Sequence, residues 1–320
     1  MGKASRTKQE SGRRERIAAQ RQAERRQERR NRLLIAGSAI AVVIIVVIVF
    51  VVVKANNHNS GTTSSGASAP TGTALSSVVS QITSVPTSTT DSVGSGGSQV
   101  TGKPMNVKAG QTPLTENGKP ELLYVGAEYC PYCAAERWAM IVALSRFGTF
   151  SGLTTMHSAA KDGGGNAEVY PNTPTWTFYG SSYTSSDLAF TPVEVNTNIG
   201  DPSTGGYTTL QTMTSAQQST FTKLNAPPYV PSGDSGSFPF LDFGNKYLII
   251  GASYSPQILA GLSWSTIAAD LTKTSSPVAQ AIDGTANYIT AALCKLTNNQ
   301  PATACTSTVQ GLDSGFSSPS

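Results

Sequence analysis

The hydrophobic pattern of this chain changes character along its length. Leu33 to Val53 is an unbroken run of 21 uncharged, mostly apolar residues, and about 20 such residues span the hydrocarbon core of a bilayer as a helix. After it, residues 55–110 are dominated by Ser, Thr, Gly and Asn, and only Leu75 to Val85 hints at a short helix. From about Val107 the composition is that of a folded domain. Glu121–Val125 predicts a buried strand. Ala134–Phe147 predicts a helix with Trp138, Ile141, Val142 and Leu144 facing a core, stopped near Gly148. Residues 153–235 are rich in Gly, Ser, Thr and Pro, with short strands expected at Thr175–Tyr179 and Leu188–Val195. Phe238–Phe243 and Tyr247–Ile250 flank Gly244-Asn245-Lys246, the pattern of a β-hairpin. Ser255-Pro256 and Ser263 read as helix starts, Gly284 to about Leu296 as a last helix, and the tail after Cys305 as frayed.

Charge sharpens this picture. Residues 1–32 hold 12 of the 23 Lys+Arg and 4 of the 19 Asp+Glu, and the remaining residues carry 11 basic and 15 acidic side chains. An Arg-rich flank on one side of the apolar run and the lone Lys54 on the other orient a membrane helix with its N-terminus in the cytoplasm. A cleaved signal peptide is the competing reading. It has a shorter basic region, a shorter apolar run and an A-x-A-like site, and Lys54-Ala55-Asn56-Asn57 does not look like one. The expected organisation is therefore a basic cytoplasmic segment 1–32, a transmembrane helix 33–53, a Ser/Thr/Gly-rich tether 54–105, a domain 106–306 and a flexible tail 307–320. A coil the length of residues 55–110 would span roughly 40 Å. The Arg-rich segment has no aromatic interleaving, so contact with anionic lipid is expected there and nucleic-acid binding is not.

All four cysteines, Cys130, Cys133, Cys294 and Cys305, lie beyond the apolar run. An even count fits an oxidising, extracytoplasmic compartment. Cys130-Pro131-Tyr132-Cys133 stands between the predicted strand and the predicted helix. Two intervening residues bring two sulfurs close enough for a small disulfide ring. A cysteine at a helix N-terminus sits beside unpaired N–H groups and the positive dipole end, which favour its thiolate. Cys130 is then the nucleophile and Cys133 the resolving thiol. Ala134 stands where haem attachment would need a histidine. Zinc would have to recruit Cys294 and Cys305, whose spacing is wider than the two to four residues of tight zinc knuckles. Cys294 and Cys305 most simply form a structural disulfide around Lys295–Ala304, worth roughly 2–4 kcal/mol, with a redox relay to the first pair as the sharper alternative. Glu128 reads either as a solvated carboxylate or as a group that tunes Cys130 and moves protons. Pro131 and Tyr132 are candidates for tuning and substrate contact. Trp138 and Trp264 read as core.

The strand, the Cys-x-x-Cys, the helix, and Phe238-Pro239-Phe240 opening a hairpin before a final helix together resemble the thioredoxin superfamily. That resemblance implies an α/β thioredoxin-like fold, here with a large insertion at about 154–235 and behind a single N-terminal transmembrane helix. It also implies a cis-proline beside the dithiol that shapes a substrate groove. Pro239 matches that position by context, and Pro174 in Thr173-Pro174-Thr175 competes with it. More narrowly, the chain resembles the membrane-anchored archaeal family known as domain of unknown function 929. The resemblance is carried by Glu128 to Trp138, Phe238 to Asn245, Gly261-Leu262-Ser263-Trp264 and the Cys294…Pro301…Cys305 ending.

The expectation is a membrane-tethered extracytoplasmic thiol-disulfide oxidoreductase. It would work without a cofactor on secreted or surface proteins, with a membrane redox partner. The alternative is a non-enzymatic binding or cell-surface module with structural disulfides. Neither the substrate nor the direction of electron flow is written in the motif.

Overall fold

A computed structural model describes residues 67–319. The chain divides into two units, Met1–Thr63 and Ser64–Ser320, and the described residues lie in the second. The apolar run Leu33–Val53 and the basic segment before it fall outside the described residues. Among the described residues no helix is long and apolar enough to cross a membrane.

In chain order the helices are α1 (Gly72–Thr83), α2 (Thr87–Val93), α3 (Pro131–Leu144), α4 (Ser215–Leu224), α5 (Trp264–Asp270), α6 (Pro277–Leu296) and α7 (Ser307–Gly311). The strands begin with β1 (Met105–Asn106), β2 (Thr115–Glu116) and β3 (Lys119–Gly126). Between α3 and α4 come β4 (Gly148–Ser151), β5 (Thr154–His157), β6 (Pro174–Thr177), β7 (Ser182–Ser185), β8 (Ala189–Glu194), β9 (Asn196–Gly200) and β10 (Tyr207–Thr209). The hairpin strands are β11 (Phe240–Phe243) and β12 (Tyr247–Ile250).

Strand β3 is the axis of the main sheet. Its residues 121–126 run parallel to β8, and its other edge pairs antiparallel with β11, Leu122 opposite Phe243 and Val125 opposite Phe240. β11 pairs antiparallel with β12, and β12 with β1. The residues of β3 from Glu121 onward are buried, as a central strand covered on both faces requires. The β11–β12 turn uses Gly244 at φ 65° and Asn245 at φ 58°, the left-handed pair that hairpin twist demands. It is closed by Lys246 N–H donating to Phe243 O at 3.0 Å.

Several expectations need correction. The expected insertion, residues 154–235, is not a separate block: β8 lies inside it and joins the main sheet by parallel pairing with β3. Residues 148–185 form two small antiparallel pairs, β4–β7 and β5–β6, and β9 pairs with β10. Within the described residues the Ser/Thr-rich stretch is folded, not a tether. Val78 and Ile82 of α1 are buried in the main core, and α1 packs on α3 and α5 while α2 packs on α6. Asn287 Nδ2 donates to Thr90 O at 2.7 Å and to Gly94 O at 2.8 Å. Composition hid this because the burial rests on a few apolar residues and on backbone carbonyls.

The last long helix starts at Pro277, capped by Ser276 Oγ, which accepts from Ala279 N–H at 3.0 Å. Gly284 is therefore mid-helix. A Cβ there would lie 2.6 Å from Gly96 Cα, so the glycine lets the N-terminal segment lie directly on α6. The tail is also packed: Val309 is fully buried, and Ser317 bonds to Asn106 and Pro104. Cys294 and Cys305 are disulfide-bonded, Cα–Cα 5.7 Å, and both are buried in the main core.

Candidate active site

The sequence around Cys130 builds its own geometry. β3 ends at Gly126, and the chain turns through Ala127 to Tyr129, with Cys130 N–H donating to Ala127 O at 3.2 Å. Cys130 has extended backbone angles and caps α3, its Sγ accepting from Cys133 N–H at 3.4 Å. Pro131 holds the first helical position, where no amide hydrogen is needed. Cys130 is 6 % exposed and Cys133 is fully buried. Both are free thiols, packed with Ala127 in a small cluster bordered by Tyr129, Val195 and Phe238. The Cys294–Cys305 sulfurs belong to a different cluster.

The two thiols are driven apart in acidity. Cys130 is held below the ordinary thiol range, first by the hydrogen bond from the Cys133 thiol, then by the Cys133 backbone N–H and the Arg137 charge, which together outweigh burial. Cys133 is pushed well above it by burial and by its neighbour Cys130. A depressed nucleophile next to a protonated resolving thiol is what ordered disulfide exchange needs.

Sequence reasoning missed the buried charges beneath this pair. Arg137 lies one turn after Cys133 on α3, and Glu194 ends β8; both side chains are fully buried. Arg137 Nε donates to Glu194 Oε1 at 2.9 Å and Nη2 to Oε2 at 2.7 Å. Nη2 also donates to Ala127 O at 2.8 Å. The available signal was an Arg at i+4 from Cys133 in a largely apolar helix. Glu128 is 9 % exposed, and its Oε1 accepts from Thr177 Oγ1 at 2.6 Å. Its reading as a solvated carboxylate is thus overturned. Burial and the Glu194 charge raise its pKa. Glu136, also on α3, is fully buried with a pKa raised by burial to about 7, and it accepts from both the N–H and the Oγ of Ser253.

The peptide bond Phe238–Pro239 is cis, and Thr173–Pro174 is not among the cis bonds of the described residues. Pro239 directly precedes β11, and Phe238 borders the dithiol cluster. A groove of about 470 Å³ opens beside them, walled by Tyr132, Tyr170, Phe238, Ala252, Pro256 and Ile258. Tyr132 is 40 % exposed and meets Tyr170 edge-to-face at 5.9 Å. Ser98, Gln99 and Thr101 of the N-terminal segment complete one end of the groove. Across the site, Tyr129 stacks on Tyr207 with centroids 3.9 Å apart, and Tyr207 Oη donates to Glu168. Trp138 and Trp264 are core, their indole N–H groups donating to Pro174 O and Thr175 O.

Fold and site together define a mixed α/β domain with a buried dithiol at a strand-to-helix junction beside an aromatic groove. Over residues 105–214 it matches the family described as Domain of unknown function (DUF929). No curated protein and no solved structure matches the chain.

Proposed function

We propose that this chain is a membrane-tethered, extracytoplasmic thiol-disulfide oxidoreductase of thioredoxin-like fold. The observation that carries the reading is Cys130 Sγ capping α3 beside a buried Cys133, with the cis Phe238–Pro239 segment against the pair. The core strand order β8–β3–β11–β12, with the dithiol after β3, the cis-proline before β11 and α6 after the hairpin, supports the fold assignment. The Cys130 thiolate attacks one sulfur of a substrate disulfide; that S–S bond breaks and the substrate thiolate leaves and takes up a proton. Cys133 then loses its proton and attacks Cys130 Sγ, releasing the second substrate thiol. Two electrons and two protons pass from the dithiol to the substrate, and the reverse sequence oxidises a dithiol substrate.

The groove fits an extended polypeptide. Its tyrosines and Phe238 give apolar contact, and the loop at Gly251–Ala252 and Ser237 give polar edges. Secreted or surface proteins reach it if Leu33–Val53 anchors the chain.

The deciding experiment is the reduction potential of Cys130/Cys133, by equilibration with glutathione or dithiothreitol and acid trapping. A reversible pair between about −120 and −180 mV marks a disulfide donor or isomerase, and one near about −270 mV a reductant. A bond that resists reduction below about −300 mV is a structural staple and rejects the proposal. The small exposure of Cys130 favours the second reading, a non-enzymatic binding module. Under it, Cys130→Ser leaves partner capture intact.

A further inference from the structure

The Arg137–Glu194 pair is expensive where it stands. Burying two charges costs several kcal/mol each before pairing, and apolar replacements of such pairs are often as stable. Stability alone is therefore a weak reason for it. Its placement suggests another. The guanidinium is held from two sides, by Glu194 from β8 and by the Ala127 carbonyl from the turn that delivers Cys130. Its Nη1 has no hydrogen-bond partner. The Tyr124 ring of β3 lies 5.9 Å from the guanidinium carbon, and the Tyr124 hydroxyl is likewise unpartnered. That hydroxyl sits beside Gly126, where an added Cβ would lie 2.1 Å from Tyr124 Oη and 3.1 Å from Cys133 Sγ. A positive charge with one free donor, a neutral hydroxyl and the resolving thiol thus lie buried together.

We infer that Arg137 is a positioning residue of the dithiol, fixing the turn before Cys130 through Ala127 and holding a positive charge under both sulfurs, and that Glu194 sets how much of that charge they feel. The inference rests on the oxidoreductase reading for its consequence in turnover, but its electrostatic content is measurable without any substrate. The field has the right signs. The Arg137 charge favours ionisation of both thiols, and the Glu194 charge opposes it at Cys133. The other titratable groups around the pair are Tyr124 from β3, Glu128 and Tyr129 from the turn, Tyr132 from α3 itself, and Glu168 from the loop that Tyr207 touches.

The test reads thiolate formation in the reduced full-length chain, by absorbance at 240 nm against pH and by the rate at which iodoacetamide labels Cys130. Glu194→Gln keeps the shape of the pair and removes its negative charge. It should move the thiolate titration down in pH and speed labelling at pH 6 about tenfold, one pKa unit. Arg137→Gln should move it up and slow labelling by a similar factor. A merely structural role would shift both variants in the same direction through loosened packing, or neither. Either result overturns the inference. Should a single variant fail to fold, the double variant Arg137→Met with Glu194→Leu removes both charges at similar volume. It should titrate above the wild type, and titration at or below wild type rejects the inference. Insulin-disulfide reduction by the wild type is measured alongside. Its absence, with opposite shifts in the two single variants, rejects the oxidoreductase reading and leaves the electrostatic device standing.

Discussion

At the residue scale the site separates two identical thiols by environment. Cys130 faces the open N-terminus of α3 and accepts from Cys133 N–H, whereas Cys133 is enclosed, and burial and its neighbour Cys130 together hold its proton on. The asymmetry makes a direct prediction. In mildly reduced protein at pH 6–7, substoichiometric iodoacetamide should label Cys130 faster than Cys133 by about tenfold or more, since each pKa unit of separation is tenfold in thiolate. Cys294 and Cys305 should stay unlabelled as a disulfide. Peptide mass spectrometry decides it; equal labelling of all four cysteines only after denaturation would remove the redox reading.

At the scale of elements, the chain's own punctuation placed most of the site. Cys-Pro at the head of α3 and the Gly-Asn turn of the hairpin are short-range signals. Each appears where local chemistry puts it, and Pro239 was found because a legible hairpin followed it. What was illegible depended on partners distant in sequence. The placement of α2 and of Thr101–Gly102 after it rests on Asn287, Thr306 and Ser253 from far along the chain. Strand β8 looked like one more short strand in a polar stretch, and only its parallel pairing with β3 brings it into the main sheet. Arg137 and Glu194 became a pair only through that same pairing. The start of α6 was misplaced because Gly284 reads as a boundary when its reason, contact with Gly96, is absent from the local sequence.

That contact is testable. Alanine is the better helix former by about 1 kcal/mol, so Gly284→Ala in a free helix would stabilise. Here the new Cβ meets Gly96 Cα at 2.6 Å and Gly96 N at 2.8 Å, backbone atoms that cannot turn aside. The substitution should therefore destabilise, by about 1–3 kcal/mol as overpacking does, and should expose the segment around residues 94–104 to protease. Urea melts and limited proteolysis read both effects. A stabilised, protease-resistant variant would show that the N-terminal segment does not lie on α6.

At the scale of the whole molecule, the described domain buries carboxyl groups with little compensation, and this sets its pH response. Burial raises Glu136 and Asp242 to about 7 and Asp283 to about 8. Asp283 has no hydrogen-bond partner for either oxygen, and Asp242 has none for Oδ2. Glu121 and Glu128 shift the same way, again through burial. In the unfolded chain such groups titrate near 4. Between that value and the raised one, the native state holds protons that the unfolded state has lost, so each step up in pH removes stability. The lowered pKa values of Asp162 and Asp201 belong to fully exposed groups and carry little weight against this. Stability should thus be greatest on the acid side and fall from about pH 4 to pH 8. The loss between pH 5 and pH 8 is of order 2 kcal/mol or more, a drop in Tm of roughly 4–8 °C for a domain of this size. Asp283→Asn removes the group with the highest of these values and should flatten the curve between pH 7 and pH 8, and lessen without abolishing the fall below pH 7. Thermal melts of the wild type and this variant across that range decide it. A Tm that rises with pH would mean that these carboxylates have found partners when ionised, and that the interior around α6 is wetter than its packing indicates.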